Sequence, residues 1–215
     1  KADLLNREAL RDEVFLVQPD LVAHLAAISF VGNPDKSSFY SVNVIGTTNL
    51  LDAILELPKA PSKVLLASSA NVYGNCDIFP ISEGVVPNPI NHYAMSKLAS
   101  ESVVRYQARA LGLPTIIARL DVAYGTKGHG GVPMIVYECM KHGMSYTRAE
   151  SGDSFCSPIH EDDIAEQAQN LIRQAAVPAP IVNLGGDEIV SVEEMITYVE
   201  GLTGLTMKVE TGEDA

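Results

Sequence analysis

The sequence predicts an α/β protein built on a doubly wound parallel sheet. Short apolar runs rich in β-branched residues alternate with longer segments of helical periodicity, which is the pattern of strands joined by crossover helices. Buried strands are expected at residues 21–27, 63–69 and 115–119. Because open α/β sheets place ligands at the carboxyl ends of their strands, the residues that close these strands are the predicted functional edge.

The helices are predicted from the same periodicity and from residues that favour helix ends. They are expected at residues 6–17, 39–57, 91–111, 133–140, 162–174 and 191–202, with a further short strand at 181–184. Ser37 or Ser38 is expected to cap the second helix, and Ser191 with Glu194 forms a capping-box pattern at the last. A polar stretch follows the helix at 133–140 and reaches Ser157.

The composition indicates an ordinary soluble globular protein, with 47% hydrophobic and 20% charged residues. A net charge of −12 argues against a nucleic-acid partner or an anionic membrane surface. No apolar run approaches the ~20 residues that a membrane-spanning helix needs. Cys76, Cys139 and Cys156 lack the spacing of a zinc site, so the sequence predicts reduced thiols, no metal and a cytoplasmic location.

Tyr93 and Lys97 are four residues apart near the start of a predicted helix, so their side chains share one helical face. An ammonium beside a phenol favours the phenolate, and we therefore expect a lowered Tyr93 pKa that suits proton transfer near neutral pH. The preceding strand ends in Ser68 and Ser69, whose hydroxyls are expected at the same edge. A half-exposed helix with a snorkelling lysine gives the same spacing, so the pair needs its context.

That context is the stretch Ser68-Ser69-Ala70-Asn71-Val72-Tyr73-Gly74 followed by Tyr93-Ala94-Met95-Ser96-Lys97, which resembles the extended short-chain dehydrogenase/reductase family of epimerases and dehydratases. Further stretches similar to that family are His24–Ala27, Asn43–Leu51, Ile159–Ile164 and Asn183–Gly186. The resemblance implies a Rossmann-like sheet. Since the chain has no Gly-x-x-Gly-x-x-Gly loop, the first βαβ unit is expected to be missing.

The resemblance also implies a domain organisation. Residues 1–125 are expected to form the dinucleotide-binding domain without its amino-terminal part. Residues 126–215 are expected to form a smaller, incomplete α/β substrate domain, with a glycine-rich boundary at residues 126–131.

The roles implied by the resemblance place Ser69, Tyr93 and Lys97 in catalysis. Tyr93 exchanges a proton with a substrate hydroxyl, Lys97 holds the nicotinamide ribose, and Ser69 hydrogen-bonds the reacting oxygen. The cofactor is NAD or NADP, and the residues expected to bind it are Asp3, Leu4, Leu25, Ala26, Ala27, Asn43, Tyr93 and Lys97. A solvated loop position for Asp3, a structural network for Asn43 and a core position for His24 stay open.

The substrate-binding residues implied by the resemblance are Ser69, Ala70, Asn71 and Val122. Ala70 and Asn71 stand where dehydratases carry acids, and neither exchanges a proton at neutral pH, which disfavours a dehydratase. Val122 replaces an Asn that binds phosphates in the family, and Cys156 and Ser157 replace an Arg-Asp pair whose arginine grips the diphosphate. Both a nucleotide sugar and a sugar without the diphosphate therefore stay open as substrates.

The function predicted from the resemblance is an NAD(P)-dependent enzyme that acts on a sugar or nucleotide-sugar hydroxyl or ketone. An epimerase and a keto-sugar reductase both fit these residues. A redox-sensing nucleotide-binding protein without turnover is the alternative from another class. A homodimer is also implied, because the helices at 39–57 and 93–111 pair between subunits in the family.

Overall fold

The chain folds as alternating helices and strands in a computed structural model that describes residues 1–76, 78–125, 131–149 and 154–212. The helical segments are α1 (Arg7–Val17), α2 (Lys36–Ser38), a π-helix (Phe39–Gly46), α3 (Thr47–Leu55), a 3₁₀ turn (Ala70–Tyr73), α4 (His92–Leu111), α5 (Gly131–Lys141), α6 (Glu161–Ile172) and α7 (Val192–Thr203). The strands are β1 (Leu21–His24), β2 (Lys63–Ser69), β3 (Thr115–Leu120), β4 (Ala123–Tyr124), β5 (Ser145–Ala149), β6 (Phe155–Cys156), β7 (Ile159–His160), β8 (Ile181–Leu184), β9 (Val190–Ser191) and β10 (Lys208–Gly212).

The main sheet has four strands in the order β1-β2-β3-β8. Strands β1 and β2 are parallel, as are β2 and β3, and Leu66 lies opposite Ile117 in the register. The predicted α/β class is therefore confirmed. Strand β1 is shorter than predicted, and its expected burial is wrong: it lies at one end of the sheet, where Leu21 is 52% exposed.

Two units share the chain, Lys1–Leu120 with Gln167–Asn183, and Asp121–Glu166 with Leu184–Ala215. In the first, apolar side chains from α1, α3, α4 and the main sheet form one core. In the second, α5 packs on α7 through the buried residues Val136, Met140, Val192, Met195 and Ile196. The domain boundary between residues 125 and 126 stays a prediction, and residues 126–130 of its glycine-rich stretch lie outside the described residues.

Helix ends follow the capping residues, with one change from the prediction. Asp35, and not Ser37 or Ser38, caps the helix that leads into the π-helix, because its carboxylate accepts from both serine backbone N–H groups at 3.0 and 3.3 Å. The Ser191–Glu194 capping box is present as predicted. The site helix α4 begins where Asn91 Oδ1 accepts from Ala94 N at 2.8 Å.

The polar stretch after α5 contains a strand, β5, that the sequence did not predict. Strand β5 pairs in parallel with β10, which lies some sixty residues further along the chain. A strand whose pairing partner is this distant leaves little local signal in the sequence. None of the helices in the described ranges combines the length and apolar character needed to cross a membrane. The three cysteines are free thiols.

Two glycines with positive φ allow a matched test of the loop that follows β2. Gly74 has φ +67°, and a Cβ there would lie 2.0 Å from Asn88 O. Gly112 has φ +66°, but a Cβ there meets nothing within 4 Å. We expect Gly112→Ala to cost about 1 kcal/mol through backbone strain alone. Gly74→Ala should cost roughly 2–3 kcal/mol or more, because the Asn88 backbone must also move.

Urea unfolding followed by circular dichroism measures both free energies. Equal losses in the two variants would contradict a close backbone contact at Gly74.

Candidate functional site

The carboxyl end of β2 and the first turns of α4 bring Ser69 and Tyr93 together. The Ser69 hydroxyl lies close enough to the Tyr93 phenol to act on its pKa. Helix α4 packs on β2, on the π-helix and on the 3₁₀ turn, so the position of Tyr93 is fixed from three sides. Two of the three predicted catalytic side chains are thus close together.

The Tyr93 ring and its backbone are held by neighbouring groups. The ring of buried Phe39 lies 6.1 Å from the Tyr93 ring, centroid to centroid, with an interplanar angle of 54°. Ser96 Oγ donates to the Tyr93 carbonyl at 2.7 Å, and Asn43 Nδ2 donates to Ser96 Oγ at 2.9 Å. Tyr93 therefore presents its oxygen from a rigid frame.

The hydrogen bonds of Ser69 show which way its proton points. Ser69 Oγ accepts from Asn71 N and from Asn71 Nδ2, both at 3.2 Å. A serine hydroxyl has two acceptor lone pairs and one hydrogen, so both lone pairs are used by Asn71. The remaining hydrogen of Ser69 is therefore available for donation to the nearby Tyr93 oxygen.

The Tyr93 pKa departs from the prediction. Burial raises the pKa of Tyr93, and the hydrogen bond from Ser69 opposes that rise. The expected lowering by Lys97 is wrong, because loss of solvent around the phenol outweighs the charges nearby. At neutral pH Tyr93 is a neutral phenol.

Lys97 is buried one helical turn beyond Tyr93, with 5% of its surface exposed. Burial lowers the pKa of Lys97 to about 8, opposed by the carboxylate of Glu101. Among the residues that the structure describes, none accepts a hydrogen bond from the Lys97 ammonium. A buried ammonium has three donors and normally uses them, so this group is available to hydroxyls of a ligand.

His24, at the end of β1, is a core residue, in line with the core alternative drawn from the sequence. Its Nε2 lies 2.8 Å from Thr47 Oγ1, and the Thr47 hydroxyl donates to the Asn43 carbonyl at 2.5 Å. Since the only hydroxyl hydrogen of Thr47 is used, His24 donates through Nε2. Burial and the positive charge of Lys97 lower the pKa of His24 to about 4, so the ring is neutral.

Asn43 joins this network from the π-helix. Its Oδ1 accepts from Ile28 N at 2.8 Å, and its Nδ2 donates to Ile28 O at 3.0 Å as well as to Ser96. Asn43 is 1% exposed, and all of these hydrogen bonds are made with protein groups. Asn43 therefore belongs to a hydrogen-bond network that supports the site, which is the structural alternative left open by the sequence.

Sequence reasoning missed a buried ion pair behind the site. Glu101 accepts from Arg119 Nε at 3.0 Å, from Arg119 Nη2 at 2.8 Å and from Ser68 Oγ at 2.5 Å. Burial disfavours the Arg119 charge, but the bonds to Glu101 and the contact with Tyr73 raise the Arg119 pKa above its usual range. Tyr73 stacks under the guanidinium at 4.7 Å and donates to Asn183 Oδ1 at 2.6 Å. The only signal in the sequence is Glu101, an acid on the inward face of a helix.

The other predicted cofactor residues lie apart from this cluster. Asp3 is exposed and its carboxylate accepts from Leu5 N at 2.9 Å, while the carbonyl of half-buried Leu4 accepts from Asn49 Nδ2 at 2.9 Å. The stretch after β1 has exposed Leu25, exposed Ala26 and half-buried Ala27.

The predicted substrate residues divide between the two units. Half-buried Ala70 and exposed Asn71 follow Ser69 in the 3₁₀ turn. Val122 belongs to the second unit, where its carbonyl accepts from Ile159 N at 2.9 Å. In that unit Asp121 Oδ2 accepts from Ser157 N at 2.8 Å, and burial, with the Asp121 charge, raises the Cys156 pKa to about 11.

No cluster of three or more His, Cys, Asp or Glu side chains in the described ranges is placed to hold a metal ion. The fold and the Ser69–Tyr93–Lys97 arrangement at the end of β2 define an α/β protein of the short-chain dehydrogenase/reductase class. The model of the NAD dependent epimerase/dehydratase family matches residues 1–185. The chain therefore belongs to the NAD dependent epimerase/dehydratase family, and the predicted family and Rossmann-like fold are confirmed.

Named relatives agree with this assignment. Over 102 residues the chain is 42% identical to a GDP-6-deoxy-D-talose 4-dehydrogenase of Aggregatibacter actinomycetemcomitans, in a match that covers 47% of this chain and 35% of that enzyme. The UDP-glucose 4-epimerase of Brucella ovis in complex with NAD is similar at a TM-score of 0.84 and 26% identity, covering 100% of this chain and 72% of that one. RMD from Pseudomonas aeruginosa, complexed with NADPH, is similar at a TM-score of 0.84 and 25% identity, and the match covers 100% of this chain and 74% of that one.

The buried neutral His24 predicts a pH dependence of stability. Its pKa is about 4 when folded against an ordinary value of 6.5, so the unfolded chain binds the proton more readily. The free energy of unfolding therefore keeps its full value above pH 6.5 and decreases as the pH falls from 6.5 to 4. The total loss over this window is about 3 kcal/mol. We expect His24→Gln to flatten the unfolding free energy over this window.

Urea unfolding at several pH values between 4 and 8 measures the effect. An unchanged slope in His24→Gln would show that the ring is not held neutral.

Proposed function

We propose that this protein is an NAD(P)-dependent enzyme that reduces or oxidises a sugar carbon, as a nucleotide-sugar 4-epimerase or a keto-sugar reductase. The observation that carries the proposal is the closeness of Ser69 and Tyr93, one helical turn from a buried ammonium, Lys97, whose donors are available. This combination supplies a proton donor, a hydrogen-bond partner for the reacting oxygen and a cation within one small region.

The residues of the first unit fit a nicotinamide cofactor. The available donors of Lys97 suit ribose hydroxyls, and the exposed Leu25 and Ala26 at the carboxyl end of β1 offer an apolar surface. We assign the adenosine end to Asp3 and Leu4 on the strength of the family resemblance. NAD or NADP supplies the hydride acceptor and donor when bound, and relatives of this fold have been solved with each.

The state of Tyr93 indicates its role. As a neutral phenol beside Ser69, Tyr93 can donate its hydrogen to the oxygen of a bound ketone. Donating that hydrogen completes the reduction of a ketone to a hydroxyl, and the hydroxyl of Ser69 stabilises the charge left on Tyr93. The ammonium of Lys97 stabilises the same negative charge. In the opposite direction Tyr93 takes the proton back.

An epimerase and a reductase need the same three side chains, so relatives of both kinds support the proposal. A dehydratase needs a further acid and base beside the ketone. Ala70 and Asn71 follow Ser69, and neither side chain can serve. A dehydratase is therefore disfavoured.

We propose a nucleotide sugar as the substrate, because the named relatives act on GDP and UDP sugars. A sugar without the diphosphate is the second candidate, and it is favoured by the neutral side chains at Val122, Cys156 and Ser157. A homodimer through the helical segment 39–57 and α4 also stays a proposal, supported by the exposed apolar side chains of Ile45 in the π-helix and Met95 in α4.

A substrate screen tests the function. The protein is incubated with NAD, NADH, NADP or NADPH and a panel of GDP, UDP and dTDP sugars and free sugars. Cofactor absorbance reports net oxidation or reduction, and NMR of the sugar reports inversion. Net cofactor consumption identifies a reductase or dehydrogenase, and inversion without consumption identifies an epimerase. Cofactor binding without turnover on any sugar would instead support a redox sensor.

Tyr93→Phe is expected to lower kcat by about 10³-fold, since it removes the proton donor and leaves the ring in place. Cofactor affinity, measured by calorimetry, should change little. Tyr40→Phe is the matched control, because the Tyr40 hydroxyl lies 2.9 Å from His92 Nδ1 and outside the site. Equal activity in the two variants would exclude Tyr93 as the proton-transfer group.

Asn71 variants test the direction of the Ser69 hydrogen bond. Asn71→Ala removes one neutral hydrogen bond to Ser69 Oγ and is expected to lower kcat about fivefold. Asn71→Asp cannot donate, and its carboxylate attracts the Ser69 hydrogen away from Tyr93, so the loss should be larger. Steady-state kinetics at pH 7.5 measure both, and a milder loss in Asn71→Asp than in Asn71→Ala would contradict the assigned direction.

A further inference from the structure

Glu101 is a buried carboxylate that the proposed chemistry does not use. It lies on α4 one turn beyond Lys97, so the Cβ atoms of the two residues are about 6 Å apart on the same helical face. It is 2% exposed, and its charge acts on Lys97. Both carboxylate oxygens are engaged by Arg119, and Oε1 also accepts from Ser68, the neighbour of Ser69.

The charges around Lys97 show why this carboxylate matters. Electrostatic interactions link Lys97 with His24 of β1 and Glu101 of α4. Tyr93 is on the same helix, and α4 also packs on the elements that carry Tyr73, Arg119 and Tyr40. His24 and Tyr93 are neutral at pH 7. Glu101 is thus the buried anion that contacts Arg119 and whose charge acts on Lys97, one helical turn away.

The position of Glu101 is fixed from the far side of the site. Arg119 holds it through two bonds, and Tyr73 lies under the guanidinium at 4.7 Å. Tyr73 in turn donates to Asn183, whose Nδ2 donates to Ile81 O at 2.8 Å. These contacts anchor one carboxylate to β2, β3, β8 and the loop after β2, so it cannot turn away from Lys97.

We propose that Glu101 is a positioning residue for the reaction: its carboxylate, held by Arg119 and Ser68, supplies the counter-charge that keeps Lys97 an ammonium and fixes the end of β2 that carries Ser69. The inference rests on the proposed function for its catalytic meaning. Its physical content, a charge coupling between Glu101 and Lys97, holds with or without turnover.

Opposite charge changes on the two partners of Glu101 test this coupling. The protein is labelled with ¹³C-lysine, and the Lys97 Cε resonance, assigned with Lys97→Arg, is titrated from pH 6 to 11. Glu101→Gln removes the anion and is expected to lower the Lys97 midpoint by about one pH unit. Arg119→Gln removes the competing cation and should raise the midpoint. Ser68→Ala, which removes one hydrogen bond to Glu101 and no charge, is the control and should not raise the midpoint.

A merely structural ion pair gives a different result. Breaking it from either side would loosen the site, so both variants would move the midpoint in the same direction or not at all, and either outcome overturns the proposal. If Glu101→Gln does not fold, Arg119→Gln against Ser68→Ala still decides it, since a rise is expected only in the first. Glu101→Asp retains the charge and should restore much of the wild-type midpoint.

The kinetic consequence is measured separately. With an active substrate, the pH profile of kcat for Glu101→Gln should fall at a lower pH than that of wild type, while Glu101→Asp follows wild type. A shifted Lys97 titration without activity in any protein would contradict the proposed function and leave the coupling in place. An active enzyme with an unshifted Lys97 titration would support the proposed function and contradict the charge coupling.

Discussion

The burial of the Lys97 ammonium is the constraint on which the rest of the site depends. An isolated ammonium in a protein interior is costly, and the protein lowers that cost in two ways. The Lys97 pKa falls to about 8, and the Glu101 carboxylate lies one helical turn away. Glu101 must then remain an anion although it is itself buried, which the two bonds from Arg119 and the charge of Lys97 both favour. Breaking such a pair typically costs about 3–5 kcal/mol, so these residues stabilise the fold as well as support the site.

The buried phenol explains how one site can serve proton transfer in both directions. Burial makes the neutral form of Tyr93 the resting state, and the Ser69 hydroxyl stabilises the anion that donation creates. A group that only lost its proton easily would be a poor donor to a ketone oxygen, and one without Ser69 and Lys97 would be a poor acceptor from a hydroxyl. The opposing effects on Tyr93 therefore suit a reversible reaction, which an epimerase requires within each turnover.

Local patterns in the sequence predicted the strand that ends in Ser69, the helix capped by Asn91 and the Tyr93–Lys97 spacing, because each depends on neighbouring residues. The misses depend on packing between distant segments. Exposure of β1 follows from its place at the end of the sheet, and β5 forms only by pairing with β10. The Tyr93 pKa was predicted in the wrong direction because the ring of Phe39, fifty-four residues earlier, helps to bury the phenol. The Glu101–Arg119 pair joins a helix to a strand and has no fixed spacing.

The chemistry and the choice of substrate rest on different parts of the chain. Ser69, Tyr93 and Lys97 all belong to the first unit, whereas the positions where the family grips a diphosphate fall in the second. There Cys156 is a neutral thiol, because burial beside Asp121 raises its pKa to about 11. The nearby carboxylate of Asp121 accepts from Ser157 N and would repel a phosphate at that point. A nucleotide sugar must then be held by cations elsewhere in the chain, while a sugar without phosphates meets no such penalty. The reacting groups thus belong to the first unit, whereas recognition of a diphosphate depends on the second.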